Sequence, residues 1–257
     1  MTKDIHPIIA LWSHPRSMST ATERIMRERG DLDCVHEPFM YDYYVHRRAG
    51  EMPHLEVDPD LPVSYEDIRA MLLARAGAGP VFFKDMSYYV TPRLLDDVAF
   101  RDRMRHAFLI RDPRAAIVSY HKIDPGVSEE EVGIAAQWEH YQGLVAAGHA
   151  PPVIRSEDIR NDPRATMAAF WDAIGLSPAP HAFEWGEVMP EDWNQVEGWH
   201  GRAAASNSIE PLPGDYYEKA EAAFEARARD EPRLRDLLAA HLPAYERLAE
   251  RALKPAA

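Results

Sequence analysis

Five short strand-like runs alternate with helix-like segments along the chain, and each run ends in, or is directly followed by, charged or hydroxyl residues. The runs are residues 8–13 (IIALWS), 33–36 (DCVH), 81–84 (VFFK), 106–110 (HAFLI) and 152–155 (PVIR). Short apolar strands without strict alternation read as buried on both faces, which is the habit of parallel sheets. Strands separated by helices imply right-handed crossovers. The expected fold class is α/β: a central parallel sheet of about five strands flanked by helices in three layers.

Helix signals fill the intervals. Residues 20–29 carry Thr20 and Glu23 at capping-box spacing, and Gly30 follows. Residues 65–76 form a helix stopped by Gly77-Ala78-Gly79-Pro80, and residues 92–103 another. Asp112-Pro113 and Asp162-Pro163 each read as an N-cap followed by a proline in the first turn. Further helices are expected at 128–147, 214–230 and 232–252, with a loop from 176 to 213. Residues 38–64, rich in Tyr, His and Pro, read as an irregular, lid-like insertion over a site. The whole, 1–257, is expected to be one domain with a helical C-terminal part at about 214–252.

In open parallel sheets, ligands bind at the carboxyl ends of the strands. Here those ends carry SHPRSMST, His36-Glu37, Lys84-Asp85, Arg111-Asp112-Pro113-Arg114 and Ser156-Glu157-Asp158. In the first of these, Ser17, Ser19 and Thr20 supply hydroxyls and Arg16 a forked cation. The helix start adds amide donors and the positive end of its dipole. That is chemistry for an oxyanion, although an ordinary strand-to-helix turn has the same ingredients. A loop for ATP would carry Gly-Lys-Ser/Thr and an acidic magnesium partner; the Gly-Lys is absent. Arg111 ends the fourth strand and Ser119 lies eight residues on, so both can meet one phosphate.

Composition narrows the classes. A hydrophobic fraction of 46% is enough for a core, and a net charge of −13 speaks against a general nucleic-acid binder. One cysteine, Cys34, excludes a disulfide framework and a Cys-rich metal site. No apolar run has the length of a membrane span, and the start does not read as a signal peptide. The reading is a soluble, cytoplasmic protein with no metal, no nucleic-acid partner and no membrane partner; the oligomeric state stays open. The histidines give no trusted metal spacing, and His140 and His149 read as surface residues at a helix end.

Together, Pro15-Arg16-Ser17-Met18-Ser19-Thr20, Arg111-Asp112-Pro113 with Ser119, and Ser156-Glu157-Asp158-Ile159 before Asp162-Pro163 resemble the sulfotransferase superfamily. That family transfers a sulfuryl group from 3′-phosphoadenosine 5′-phosphosulfate (PAPS) on a fold similar to P-loop nucleoside-triphosphate hydrolases. In detail the chain is similar to bacterial sulfotransferase family proteins and to the sulfotransferase-like domain of plant aminotransferase-like proteins. The resemblance implies that Pro15, Arg16, Ser17, Met18, Ser19 and Thr20 hold the 5′-phosphosulfate. It implies that Arg111 and Ser119 hold the 3′-phosphate, and that Arg202 and Ser206 close over the nucleotide. No metal is implied, and the product would be adenosine 3′,5′-bisphosphate.

The chain departs from the family at several positions. Met18 replaces a glycine, Met86 stands where small-molecule sulfotransferases place a catalytic His, and Ser156 replaces the Tyr that stacks on adenine. The resemblance to other branches makes Glu37 the base, with Lys84 and Arg16 stabilising charge. His36 and Asp85 are weaker candidates for the base, and Glu37 as a turn cap is the plain alternative. Glu157-Asp158 reads as a helix cap. Trp193 or Trp199 is a candidate adenine platform, and residues 40–48 (MYDYYVHRR) a candidate lining for a small hydroxyl or amine acceptor. Two other readings compete: a nucleotide-binding protein without catalysis, and a P-loop phosphotransferase that needs magnesium and ATP.

Overall fold

A computed structural model describes residues 6–52, 55–186, 190, 192–193 and 208–254. Its centre is a five-stranded, wholly parallel sheet of β1 (Ile8–Ser13), β2 (Asp33–His36), β3 (Val81–Met86), β4 (Met104–Ile110) and β5 (Val153–Arg155) in the order β2-β3-β1-β4-β5. All six residues of β1 are buried. Its side chains alternate between two cores. Ile8, Ala10 and Trp12 join one, with Ile68, Leu72, Leu144 and Leu234 from helices. Ile9 and Leu11 join the other, with Ile25, Met26, Met167, Phe170 and Trp171. Helices therefore cover both faces, as the apolar strands require. Each such aliphatic side chain contributes roughly 1.5–3 kcal/mol by leaving water.

The helices on the second core are α1 (Ser19–Glu28) and α10 (Pro163–Ala173). The first core takes α2 (Tyr65–Arg75), α6 (Pro113–His121), α8 (Ile134–Ala146), α11 (Tyr216–Asp230) and α12 (Arg233–Ala249). The Asp-Pro starts behave as read. Asp112 accepts from Arg114 N at 2.8 Å and Asp162 from Ala165 N at 2.9 Å, each with Pro in the first turn.

Several expectations are corrected. The Thr20–Glu23 capping box does not form: the N-cap of α1 is Met18, and Glu23 points into the interior. After the short α3 (Ser87–Val90), the helix expected at 92–103 is two short turns, α4 (Arg93–Asp96) and α5 (Val98–Arg101). Asp97 breaks it by accepting from Phe100 N and capping a new turn. The helix expected at 128–147 is split at Gly133 (φ +78) into α7 (Glu129–Val132) and α8. A Cβ on Gly133 would meet the Tyr88 ring at 3.1 Å and His14 Cβ at 3.3 Å, so both the backbone angle and the contact demand glycine.

The segment read as irregular from residue 38 contains a π-helix, Asp42–His46, and Phe39, Met40, Tyr41, Tyr43 and Tyr44 are buried in the first core. His140 is not a surface residue. It is fully buried, pairs with Ser87 Oγ at 3.2 Å, and burial drives its ring toward the neutral form. A short helix, α9 (Ser156–Asn161), follows β5 directly. Among the described residues, no helix is long and apolar enough to cross a membrane.

Candidate functional site

β1 is the middle strand, with β3 on one side and β4 on the other. Its carboxyl end opens into the loop His14–Met18. Arg16 (φ 64) and Met18 (φ 73) both take the left-handed backbone conformation, which costs roughly 1–2 kcal/mol for a residue with a Cβ. Methionine thus adopts the backbone that a glycine would take at position 18, and its side chain packs on the second core. The α1 helix begins at once. Its first-turn amides have no intrahelical acceptor and carry the positive end of the dipole. Ser17 Oγ is buried without a hydrogen-bond partner among the described residues.

The β4 loop meets this one. Arg111 N donates to His14 Nε2 at 3.1 Å, Arg111 Nη1 to Arg16 O at 2.8 Å, and Arg111 Nε to the Tyr216 hydroxyl at 3.4 Å. Arg16 Nε in turn donates to Ser119 Oγ at 3.0 Å. Burial, and then the Arg111 guanidinium, press the Arg16 guanidinium down from its usual value. Two guanidiniums in one partly buried corner favour an anion between them. Glu157 is not the cap of its own helix. Its Oε1 accepts from Asp112 N at 3.0 Å and from Tyr216 at 3.5 Å, tying the β5 end to the β4 end, and burial pushes its carboxyl up.

On the other side, β2 pairs with β3 so that His36 stands opposite Lys84. Glu37 follows at φ 38, another strained left-handed residue, and its N–H donates to Lys84 O at 3.1 Å. Lys84 Nζ donates to Glu37 Oε1, and both side chains are over nine-tenths buried. Behind Glu37, His36 Nδ1 donates to Glu23 Oε2 at 2.6 Å, and its Nε2 stands 3.9 Å from Glu37 Oε1. Glu23 also accepts from Arg27 Nε at 2.7 Å and Trp193 Nε1 at 3.0 Å. Burial alone would raise the Glu23 carboxyl; His36, Lys84 and Arg27 outweigh it and hold the group well below the usual carboxylate range.

A cleft of about 450 Å³, counting space open to solvent, joins the Arg16 loop to the Glu37–Lys84 pair. Pro15, Arg16, Ser19, Thr20, Glu37 and Lys84 line one part of it. Tyr44, Met52, Met86, Tyr88, Tyr89 and Tyr120 line the rest. Burial raises the phenols of Tyr44, Tyr88, Tyr89 and Tyr120, so they are neutral hydrogen-bonding groups.

Of the residues picked from sequence, Pro15, Arg16, Ser17, Ser19, Thr20, Glu37, Lys84, Arg111 and Ser119 are brought together at the strand ends. Arg202, Ser206 and Trp199 lie outside the described residues. Trp193 is fully buried against Glu23 and His36 and presents no face for a nucleotide base. Asp85 is no base in this geometry: its two oxygens accept from Phe39 N (2.8 Å) and Met86 N (3.0 Å). Of residues 40–48, Tyr44 reaches the cleft, whereas Tyr41 and Tyr43 pack in the first core and Arg47 pairs with Asp42. Sequence reasoning missed His14, Tyr88, Tyr89 and Tyr120. His14 and the Tyr88-Tyr89 pair directly follow strands, which was the signal available.

A family model described as a sulfotransferase domain matches residues 7–252. The chain belongs to the sulfotransferase family. The chain is similar in fold to the sulfotransferase domain from the curacin biosynthetic pathway, with a TM-score of 0.58 at 14% identity over 88% of this chain and 97% of that one. It is also similar to the sulfotransferase domain of the Synechococcus PCC 7002 olefin synthase, with a TM-score of 0.51 at 16% identity over 88% and 96%. In sequence it is 24% identical over 196 residues to branched-chain-amino-acid aminotransferase-like protein 2 of Arabidopsis thaliana, covering 75% of this chain. The matched region is 34% of that relative, and 35% of the like-named protein 1, so the chain spans about a third of the curated relatives it matches.

Proposed function

We propose that this protein moves a sulfuryl group from PAPS to a hydroxyl or amine of a small acceptor. The observation that carries this reading is the buried Glu37–Lys84 pair, which lines the same cleft as the Arg16 loop. The residues present fit the donor's anionic groups. Two guanidiniums, the Ser19 and Thr20 hydroxyls, the buried Ser17 hydroxyl, which has no hydrogen-bond partner among the described residues, and a helix N-terminus converge there without a Gly-Lys loop.

When bound, PAPS supplies an electrophilic sulfur whose bond to the 5′-phosphate oxygen breaks as the acceptor attacks. Glu37 takes the proton from the acceptor at its carboxylate. Lys84, held at that carboxylate, is placed to donate toward the oxygen that gains charge. Arg16 and the first-turn amides of α1 bind and orient the phosphosulfate, and Arg111 with Ser119 grips the 3′-phosphate. The Tyr44, Tyr88, Tyr89 and Tyr120 wall excludes water and receives the acceptor.

The test is calorimetric binding of adenosine 3′,5′-bisphosphate and of ATP, each with and without magnesium, to wild type and Arg111→Ala. Metal-independent bisphosphate binding that Arg111→Ala abolishes supports the reading. ATP binding that requires magnesium, or no nucleotide binding, sinks it.

A further inference from the structure

His14 is fully buried between the two halves of the anion site, and both of its ring nitrogens are used. Arg111 N donates to Nε2 at 3.1 Å, so Nε2 must present a lone pair. The ring proton then sits on Nδ1, which donates to Pro15 O at 3.0 Å. Burial holds the imidazole down, to about 3, so the neutral ring persists across the ordinary pH range. Gly133 lets the backbone pack close to the base of this side chain, since a Cβ there would stand 3.3 Å from His14 Cβ.

The bridge spans two strands that are neighbours in the sheet. Trp12 of β1 is in register with Phe108 of β4. His14 lies two residues past the first and Arg111 three residues past the second. There the ladder has ended, and a side chain takes over the spacing that backbone pairs set lower down. Arg111 Nη1 then reaches Arg16 O, and Arg16 Nε reaches Ser119, which closes a ring of contacts around the corner.

We propose that His14 is a positioning residue that sets the separation between the Arg16 loop and Arg111, and so gives the site its preference for nucleotides carrying a 3′-phosphate. This rests on the proposed function, in which Arg111 meets that phosphate. Without the bridge, the Arg111 backbone loses its register while the α1 helix start keeps its own donors. Affinity for the 3′-phosphate falls, and affinity for a 5′-phosphate alone does not.

The experiment compares calorimetric dissociation constants for adenosine 3′,5′-bisphosphate and adenosine 5′-monophosphate in wild type, His14→Asn, His14→Gln and Arg111→Ala. The Asn amide nitrogen stands in for Nδ1 and leaves Arg111 N without its acceptor. The Gln oxygen stands in for Nε2 and restores it. The expected result is a preference for the bisphosphate that falls about tenfold in His14→Asn, as for one lost hydrogen bond, and returns to within about twofold of wild type in His14→Gln. Monophosphate affinity stays within about twofold throughout.

Equal losses for both nucleotides in His14→Asn, or an unchanged preference, overturn the inference. If His14→Asn does not fold, His14→Phe, which keeps the ring volume without either nitrogen, takes its place. A wild type that prefers the bisphosphate and loses that preference in Arg111→Ala keeps the proposed function standing even when His14 proves passive. A wild type without that preference removes the proposed function and this inference together.

Discussion

Arg16 Nε donates to Ser119 Oγ at 3.0 Å across 103 residues of chain. The contact joins a loop that leaves β1 to a helix that leaves β4, and it forms because those strands are neighbours in the sheet. Replacing Ser119 with Ala is expected to weaken adenosine 3′,5′-bisphosphate binding about tenfold, with little change in stability because the Arg16–Ser119 contact is only partly buried. Calorimetry on the variant checks this. Wild-type affinity would remove Ser119 from the binding site.

The Glu37–Lys84 pair makes two separable predictions. Glu37→Gln keeps the shape and removes the base, so turnover should fall by roughly 10²-fold or more while bisphosphate affinity stays within a few-fold. The assay is bisphosphate release from PAPS with a panel of small alcohols, phenols and amines. Undiminished turnover in Glu37→Gln would place the base elsewhere. Lys84→Ala strands a buried carboxylate, and its expected cost is about 3–5 kcal/mol of folding stability, read by urea unfolding.

Glu23 is the buried anchor behind Glu37. It accepts from His36, Arg27 and Trp193 and lies fully out of water. Glu23→Gln removes the charge that three donors are built around. We expect a loss of about 3 kcal/mol and, for a chain of this size, a drop in Tm of roughly 6–12 °C. A Tm within a degree or two of wild type would show that the network is worth little. Because its folded-state carboxyl is held low, Glu23 stabilises the fold above the ordinary carboxylate range, and that contribution is lost as acid protonates it.

Buried neutral histidines set a second pH dependence. Burial lowers His14 to about 3 and His106 to about 4, against 6.5 when exposed. Below pH 6.5 the unfolded chain takes up these protons and the folded chain does not, so stability falls as pH drops from 6.5 toward 4. The slope is at most about 1.4 kcal/mol per pH unit for each histidine. Asp85 and Glu157, whose carboxyls burial pushes up, act in the opposite sense, so a difference between variants isolates the effect. His106→Asn, whose side-chain oxygen can stand in for Nδ1, keeps an acceptor for Trp12 Nε1 and should flatten the fall in urea-unfolding free energy between pH 7 and 5. An unchanged slope would mean that His106 titrates alike in both states.

Much of this was readable from residues alone. β1 and β2 run as expected, because a short run bounded by polar residues has few other uses. The Asp-Pro starts at 112 and 162 cap their helices, because capping is settled within three residues. Local signals failed where a distant group competed. Thr20 and Glu23 have capping-box spacing, yet Glu23 is claimed by His36 and Trp193. Gly133 ends a helix in which the amphipathic pattern continues, because His14 and Tyr88 occupy the space beside it. His140 reads as a polar residue on a helix and is buried beside Trp12 and Phe108.

The sequence by itself determined most of the elements, their polar strand ends and the hydroxyl and guanidinium content of the first loop, since these depend on neighbours a few residues apart. Only the tertiary structure decided which ends meet. The order β2-β3-β1-β4-β5 puts Lys84 against Glu37 across 47 residues and Arg111 against His14 across 97. No local rule carries that information, because strand order follows from how helices of given length and apolar face pack over the sheet. The same packing withdraws Glu37 and Lys84 from water, where an exposed pair would hold little energy and a buried one is tightly constrained.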